Sequence, residues 1–154
     1  MAAYFFDSSA LTKRYVMERG SAWVISITDP AAGNQNHIVR ITGVEVISAI
    51  TRARRSGSIS TTDATIAIAD LRHDFAKEYR ITEVTRGLIR HAMVLAETHA
   101  LRGYDAVQLA AILTVNKQRI AMGLSAIMLV SADTALNAAA TAEGLRVDDP
   151  NLHP

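Results

Sequence analysis

The sequence predicts an α/β protein: a parallel sheet with helices on both faces. Two observations lead there. Short apolar runs alternate with longer amphipathic runs along the whole chain, the pattern expected when each strand is followed by a crossover helix. Length and composition suit a single core, with 154 residues, 49% apolar and 20% charged. No internal repeat, low-complexity run or linker divides the chain, so residues 1–154 read as one domain.

The elements follow in order. Residues 3–6 form a short buried strand, and a helix is expected over 9–18 with Leu11, Tyr15 and Val16 inward and Gly20 ending it. A second helix covers 22–28 and stops at Asp29-Pro30, after which 31–36 is a loop by composition. Residues 37–41 read as a strand. Thr42 is placed to cap a helix over 43–56, closed by Gly57. Ser60-Thr61-Thr62-Asp63 is a strong helix start. That helix should run to about Tyr79, with Ile66, Ala69, Leu71 and Phe75 in the core. Residues 80–85 alternate like a strand. A helix over 86–101 carries a wide apolar stripe of Leu88, Ile89, Ala92, Met93, Leu95 and Ala96. Gly103 separates it from the most apolar helix, which begins near Tyr104. Residues 126–130 are the clearest buried strand, a helix over 133–143 is closed by Gly144, and 145–147 form a final strand.

Composition narrows the function. The net charge of +1 does not mark the whole chain as a nucleic-acid binder, although a local basic patch is compatible with it. With no cysteine, disulfides and thiolate zinc sites are excluded, and nothing points to an oxidising compartment. No basic segment followed by an apolar leader opens the chain. A cytoplasmic location is expected, and no membrane contact: the apolar stretch 106–115 is half a membrane span and is broken by Gln108 and Thr114.

Four acidic residues stand where an apolar segment meets a polar one: Asp7, Glu45, Asp105 and Asp133. Each has an ordinary explanation as a helix cap or a favourable dipole contact. Ser8 and Ser9 could cap as well as Asp7, however, and Asp105 heads a helix that should be central. In a parallel α/β sheet, ligands bind where strands end and helices begin. If the four converge they repel, by about 4 kcal/mol for two charges about 4 Å apart at an effective dielectric near 20. A proton, a basic side chain or a divalent cation must offset that. Oxygen-only ligands suit Mg²⁺ or Mn²⁺, which serve phosphodiester cleavage. Asn137 lies one helical turn after Asp133, on the same side.

The histidines form no rival site, since His91 and His99 are eight apart and His37, His73 and His153 are scattered. No glycine-rich phosphate loop and no G-x-S-x-G elbow occur. Lys13 and Arg14 on the first helix, with Arg52, Arg54 and Arg55 at the end of the third, read either as ordinary helix-end charges or as a phosphate-tracking rim for RNA.

Asp7-Ser8-Ser9-Ala10-Leu11, a helical Glu45, Tyr104-Asp105-Ala106 and Ser131-Ala132-Asp133, in this order and at these intervals, resemble the PIN-domain ribonucleases, especially the toxins of VapBC toxin–antitoxin pairs. The segment from Asp133 to Leu145 is also similar, and the resemblance covers nearly the whole chain. It implies a three-layer α/β/α fold with a five-stranded parallel sheet and Mg²⁺- or Mn²⁺-dependent cleavage of RNA. Asp7, Glu45, Asp105 and Asp133 match the family's acidic positions, Ser9 and Ser131 its polar supports, and Asn137 a position that varies. A homodimer and a VapB-like antitoxin docking on residues 9–28 and 43–79 are implied too. Two alternatives remain: a non-catalytic PIN-like binding module, and a metal-dependent DNA nuclease of similar fold. A phosphatase of the haloacid-dehalogenase type is disfavoured, because Ser9 stands where its second Asp would be.

Overall fold

In the computed structural model, which describes residues 1–154, five parallel strands form one sheet. They are β1 (Ala3–Phe6), β2 (Gln35–Val39), β3 (Arg80–Thr82), β4 (Met128–Val130) and β5 (Arg146–Asp148), in the order β3-β2-β1-β4-β5. Seven helices connect them: α1 (Ser8–Tyr15), α2 (Ser21–Thr28), α3 (Thr42–Ser56), α4 (Thr61–Lys77), α5 (Arg86–His99), α6 (Gly103–Ala121) and α7 (Thr134–Ala142).

Strand alternation sends neighbouring residues to opposite faces. Phe5, Val39 and Leu129 pack with α5, α6 and α7, while Phe6, Ile38 and Val130 pack with α1 to α4. The sheet is thus covered on both sides, as the strand–helix alternation predicts. Each fully buried phenylalanine or leucine here contributes roughly 1.5–3 kcal/mol of transfer free energy.

Several boundaries differ from the expected ones, for physical reasons. α1 stops at Tyr15 because Val16 turns extended, and Lys13 Nζ then holds the following loop through Arg19 O at 2.9 Å and Glu18 Oε1 at 3.2 Å. Gly20 does not end α1; it opens α2 in the left-handed region, φ +86°, where a Cβ would lie 2.3 Å from Pro150 O. β2 begins at Gln35, inside the expected loop, because Gln35 N–H donates to Ala2 O and draws this polar stretch onto β1. Thr42 is the first residue of α3 rather than its cap.

On α4, Ser60 caps as expected, accepting from Asp63 N–H at 3.0 Å. The buried stripe, however, is Ala64, Ala67, Leu71 and Asp74; Ile66 is 54% exposed and Phe75 half-buried. This face of α4 packs on α3 and α1. On α5, Leu88, Ala92 and Leu95 are buried, whereas Ile89 and Met93 are exposed. β4 and β5 each cover three residues, shorter than or shifted from expectation. No helix is long and apolar enough to cross a membrane.

Candidate active site at the carboxyl edge of the sheet

From β1 the chain winds outward to β2 and β3, then returns to place β4 on the other side of β1. That reversal opens a crevice beyond the carboxyl ends of β1 and β4, because the helices leaving these two strands cross opposite faces. Asp7 is the residue after β1, and Ser131-Ala132-Asp133 follows β4.

Asp7 is 2% exposed and also caps α1, its Oδ1 accepting from Ala10 N–H at 3.0 Å. Ser9 Oγ, 2.7 and 2.8 Å from the two carboxylate oxygens, donates to Asp7, and Ser131 Oγ donates to Asp7 Oδ2 at 2.9 Å. Each hydroxyl is itself oriented: Ser9 Oγ accepts from Ala132 N–H at 2.9 Å and Ser131 Oγ from Asp133 N–H at 3.1 Å. The two serines therefore lace the end of β1 to the end of β4. Burial pushes the Asp7 carboxyl up to about 7; the Ala10, Ser9 and Ser131 donors oppose the rise and the Asp105 charge adds to it.

Asp105, in the first turn of α6, is pushed up to about 6, first by burial and then by the charges of Asp133 and Glu45, with Arg102 opposing. Asp105 thus lies in the field of Asp133 and Glu45 and contributes to the field at Asp7, so the four acids share one electrostatic environment. Glu45 is held at both oxygens: Ser8 Oγ donates to Oε2 at 3.0 Å and Gln108 Nε2 to Oε1 at 3.0 Å. Asp133 caps α7, accepting from Leu136 N–H at 2.9 Å. Asn137 Nδ2 donates to Ser131 O at 2.8 Å, and its buried Oδ1 has no partner.

A cleft of about 610 Å³ opens onto this edge. Glu45 and Ser9 line it, as do Ser8, Tyr104 and Ala132, the immediate chain neighbours of Asp7, Asp105 and Asp133. No three His, Asp or Glu side chains are arranged to hold an ion as they stand. The donor set nonetheless fits a hard divalent cation: it is all oxygen, and two of its carboxyls have raised proton affinity, which marks a local shortage of positive charge.

The basic residues divide. Lys13 and Arg52 both line the cleft, but Lys13 is buried and bound to Glu18 and Arg19 O, which removes it as a phosphate contact, whereas Arg52 is exposed and donates to Ser48 Oγ at 2.6 Å. Arg54 and Arg55 are exposed in the last turn of α3 and are not among the cleft residues. Arg14 is engaged in packing instead: it pairs with Asp74 at 3.2 Å, donates to Tyr79 Oη at 2.8 Å and lies over the Tyr15 and Tyr79 rings. An arginine so occupied is a strut between α1 and α4, not a free phosphate contact.

The chain is 32% identical over 154 residues to Ribonuclease VapC45 and to Ribonuclease VapC49 of Mycobacterium tuberculosis, covering 100% of this chain and 100% of each relative. The chain belongs to the VapC ribonuclease family. Its fold is similar to that of a toxin-antitoxin complex from Klebsiella pneumoniae, with a TM-score of 0.62, 19% identity, and 96% of this chain and 97% of that chain covered. No family model matches the chain. Within this VapC frame the sequence reading overlooks Ser8, Thr42 and Gln108. Gln108 is 2% exposed and bonds both Glu45 and Thr42 Oγ1, the latter at 2.9 Å. The available signal is a lone amide inside the apolar run 106–115, one turn after Asp105.

Proposed function

We propose that the protein is a Mg²⁺- or Mn²⁺-dependent endoribonuclease and the toxin of a type II toxin–antitoxin pair. The observation that carries this reading is the geometry at the carboxyl edge: Ser9 and Ser131 tie Asp7 to the β4–α7 turn, and Ser8 and Gln108 tie Glu45 to α1 and to the helix that Asp105 heads, so acids far apart in sequence come to one edge of the sheet. Membership of the VapC ribonuclease family supplies the substrate class.

Asp7, Asp105, Asp133 and Glu45 would hold the cation. When bound, it would polarise a phosphoryl oxygen and lower the pKa of a water. The protein's own part is positioning. Ser9 and Ser131 fix the Asp7 carboxylate, and Ser8 and Gln108 fix Glu45 so that it can take a proton from water entering the cleft. Arg52 gives the cleft a cation for the RNA backbone, whereas Lys13 is neutralised by Glu18.

A VapB-like antitoxin peptide is proposed to enter the same cleft, whose exposed Val44 and Tyr104 offer apolar contacts beside the acids. Homodimer formation is supported by α5, which leaves Ile89, Met93 and Val94 exposed. A cytoplasmic location, where RNA and an antitoxin are both at hand, completes the reading.

The test is cleavage of a mixed set of labelled RNAs by the purified protein with Mg²⁺, Mn²⁺ or EDTA, beside Asp7→Asn. Metal-dependent cutting by the wild type, reduced at least about 100-fold in the variant, is expected. An Asp7→Asn protein that cuts normally would sink the assignment.

A further inference from the structure

At the opposite, amino-terminal edge of the sheet lies a second cavity, of about 340 Å³, between the starts of β2 and β3 and the end of α6. Its polar wall holds Gln35, His37, Arg80 and Arg119, and its apolar wall includes Val115 and Leu124. The cavity is at the small end of the range for ligand pockets, roughly 300–1,000 Å³.

Two features of this cavity lack a partner within the chain. Arg119 is 8% exposed, yet no carboxylate pairs with it or with Arg80. Its hydrogen bonds are to neutral acceptors: Ser125 O at 2.9 Å, Gln35 Oε1 at 2.8 Å and Ser125 Oγ at 3.3 Å. These aim the guanidinium without neutralising it, and the carboxyl end of α6 offsets only part of its charge. Buried charges are ordinarily paired. His37 is the second feature: it is 8% exposed, lines the cavity, and its buried Nε2 has no hydrogen-bond partner. Burial and the charges of Arg80 and Arg119 push His37 down to about 4, so it is neutral at physiological pH, and its unpartnered nitrogen can carry a hydrogen to donate.

We propose that this cavity is an anion site for a phosphate monoester, with Arg80 and Arg119 supplying the charge, His37 a neutral donor and the Val115–Leu124 wall room for a small organic group. The site is independent of the nuclease reading, because it lies at the other edge of the sheet and shares no residue with the acidic cleft.

The test is calorimetric titration of the metal-free full-length protein with inorganic phosphate at constant ionic strength, followed by a nucleoside 5′-monophosphate. Saturable one-to-one binding is expected, with perturbation of the His37 ring resonances in NMR spectra. Arg80→Gln, at an exposed position that should not disturb folding, is expected to weaken binding at least about tenfold, as is Arg119→Gln. Tighter binding of the nucleotide than of phosphate would show that the apolar wall is used; equal binding would show that only the oxyanion is read. No saturable binding of either ligand, or binding that neither arginine variant weakens, would overturn the proposal. The second result would place the anion elsewhere, for example at Arg52.

Discussion

The two edges of the sheet solve opposite electrostatic problems by different means. The carboxyl edge gathers negative charge and surrounds it with neutral donors: two serine hydroxyls and a backbone N–H on Asp7, a hydroxyl and an amide on Glu45. The amino edge holds two guanidiniums and surrounds the buried one with neutral acceptors. In both places hydrogen bonds fix geometry while net charge is left over. Left-over charge beside a cavity is costly in a protein interior and is what a ligand of opposite sign relieves. A third buried charged group shows the contrast. Arg14 and Asp74 neutralise each other directly, Tyr15 Oη adds a hydrogen bond to Asp74 Oδ2 at 2.7 Å, and this network is self-sufficient.

The sharpest way to break the comparison is to remove the left-over charge at the carboxyl edge. Burial pushes the Asp7 carboxyl up to about 7 from the 3.8 of a free aspartate, so the fold favours its protonated form. The destabilisation is absent below about pH 4, grows as pH rises between the two values, and is complete above pH 7. Asp7→Asn keeps a residue able to cap α1 and removes that charge. Without metal, the variant should gain on the order of 2–4 kcal/mol over the wild type at pH 8 and almost nothing at pH 4, read by denaturant unfolding at each pH. An equal gain at both would mean that charge burial is not the cause.

A smaller effect comes from loosening one support. Gln108→Ala takes a donor from both Glu45 and Thr42 and should cost about 1–3 kcal/mol of stability. Because Glu45 is then free to rotate, cleavage should also fall by roughly tenfold in kcat. If stability drops and kcat at saturating RNA does not, Gln108 is a core group and not a positioning residue.

The smallest effect concerns the cationic rim. Arg52→Ala should weaken RNA binding a few-fold and lower the salt slope by about one, because one phosphate contact is lost. Arg54→Ala and Arg55→Ala should change the slope less. Equal slopes for all three variants would remove the distinction drawn between the cleft and the helix end.

Much of this was legible in the sequence for a definite reason. Strand–helix alternation and helix caps are local, so the sheet, its helices and the position of each acid at an element boundary follow from short windows. Asp7, Asp133 and Ser60 are read correctly as helix-start residues because capping depends on two or three neighbouring residues. Where the sequence misleads, a distant partner decides. The chain between Ala31 and Asn36 is loop-like in composition, yet Gln35 and Asn36 join β2 because β1 offers them a ladder. Met93 fits an apolar stripe, yet nothing within the chain covers it. Arg14 reads as a helix-end cation until Asp74, sixty residues away, claims it.

By itself, then, the sequence determined the fold class and the residue types that can carry the chemistry. Local periodicity and capping are enough to determine those. Which carboxylates share a field, that Gln108 holds Glu45, that Arg14 is a strut, and that His37, Arg80 and Arg119 meet around a cavity were decided by tertiary structure alone. The reason is that burial and charge pairing depend on which segments the sheet brings side by side, and strand order is a non-local property of the whole chain.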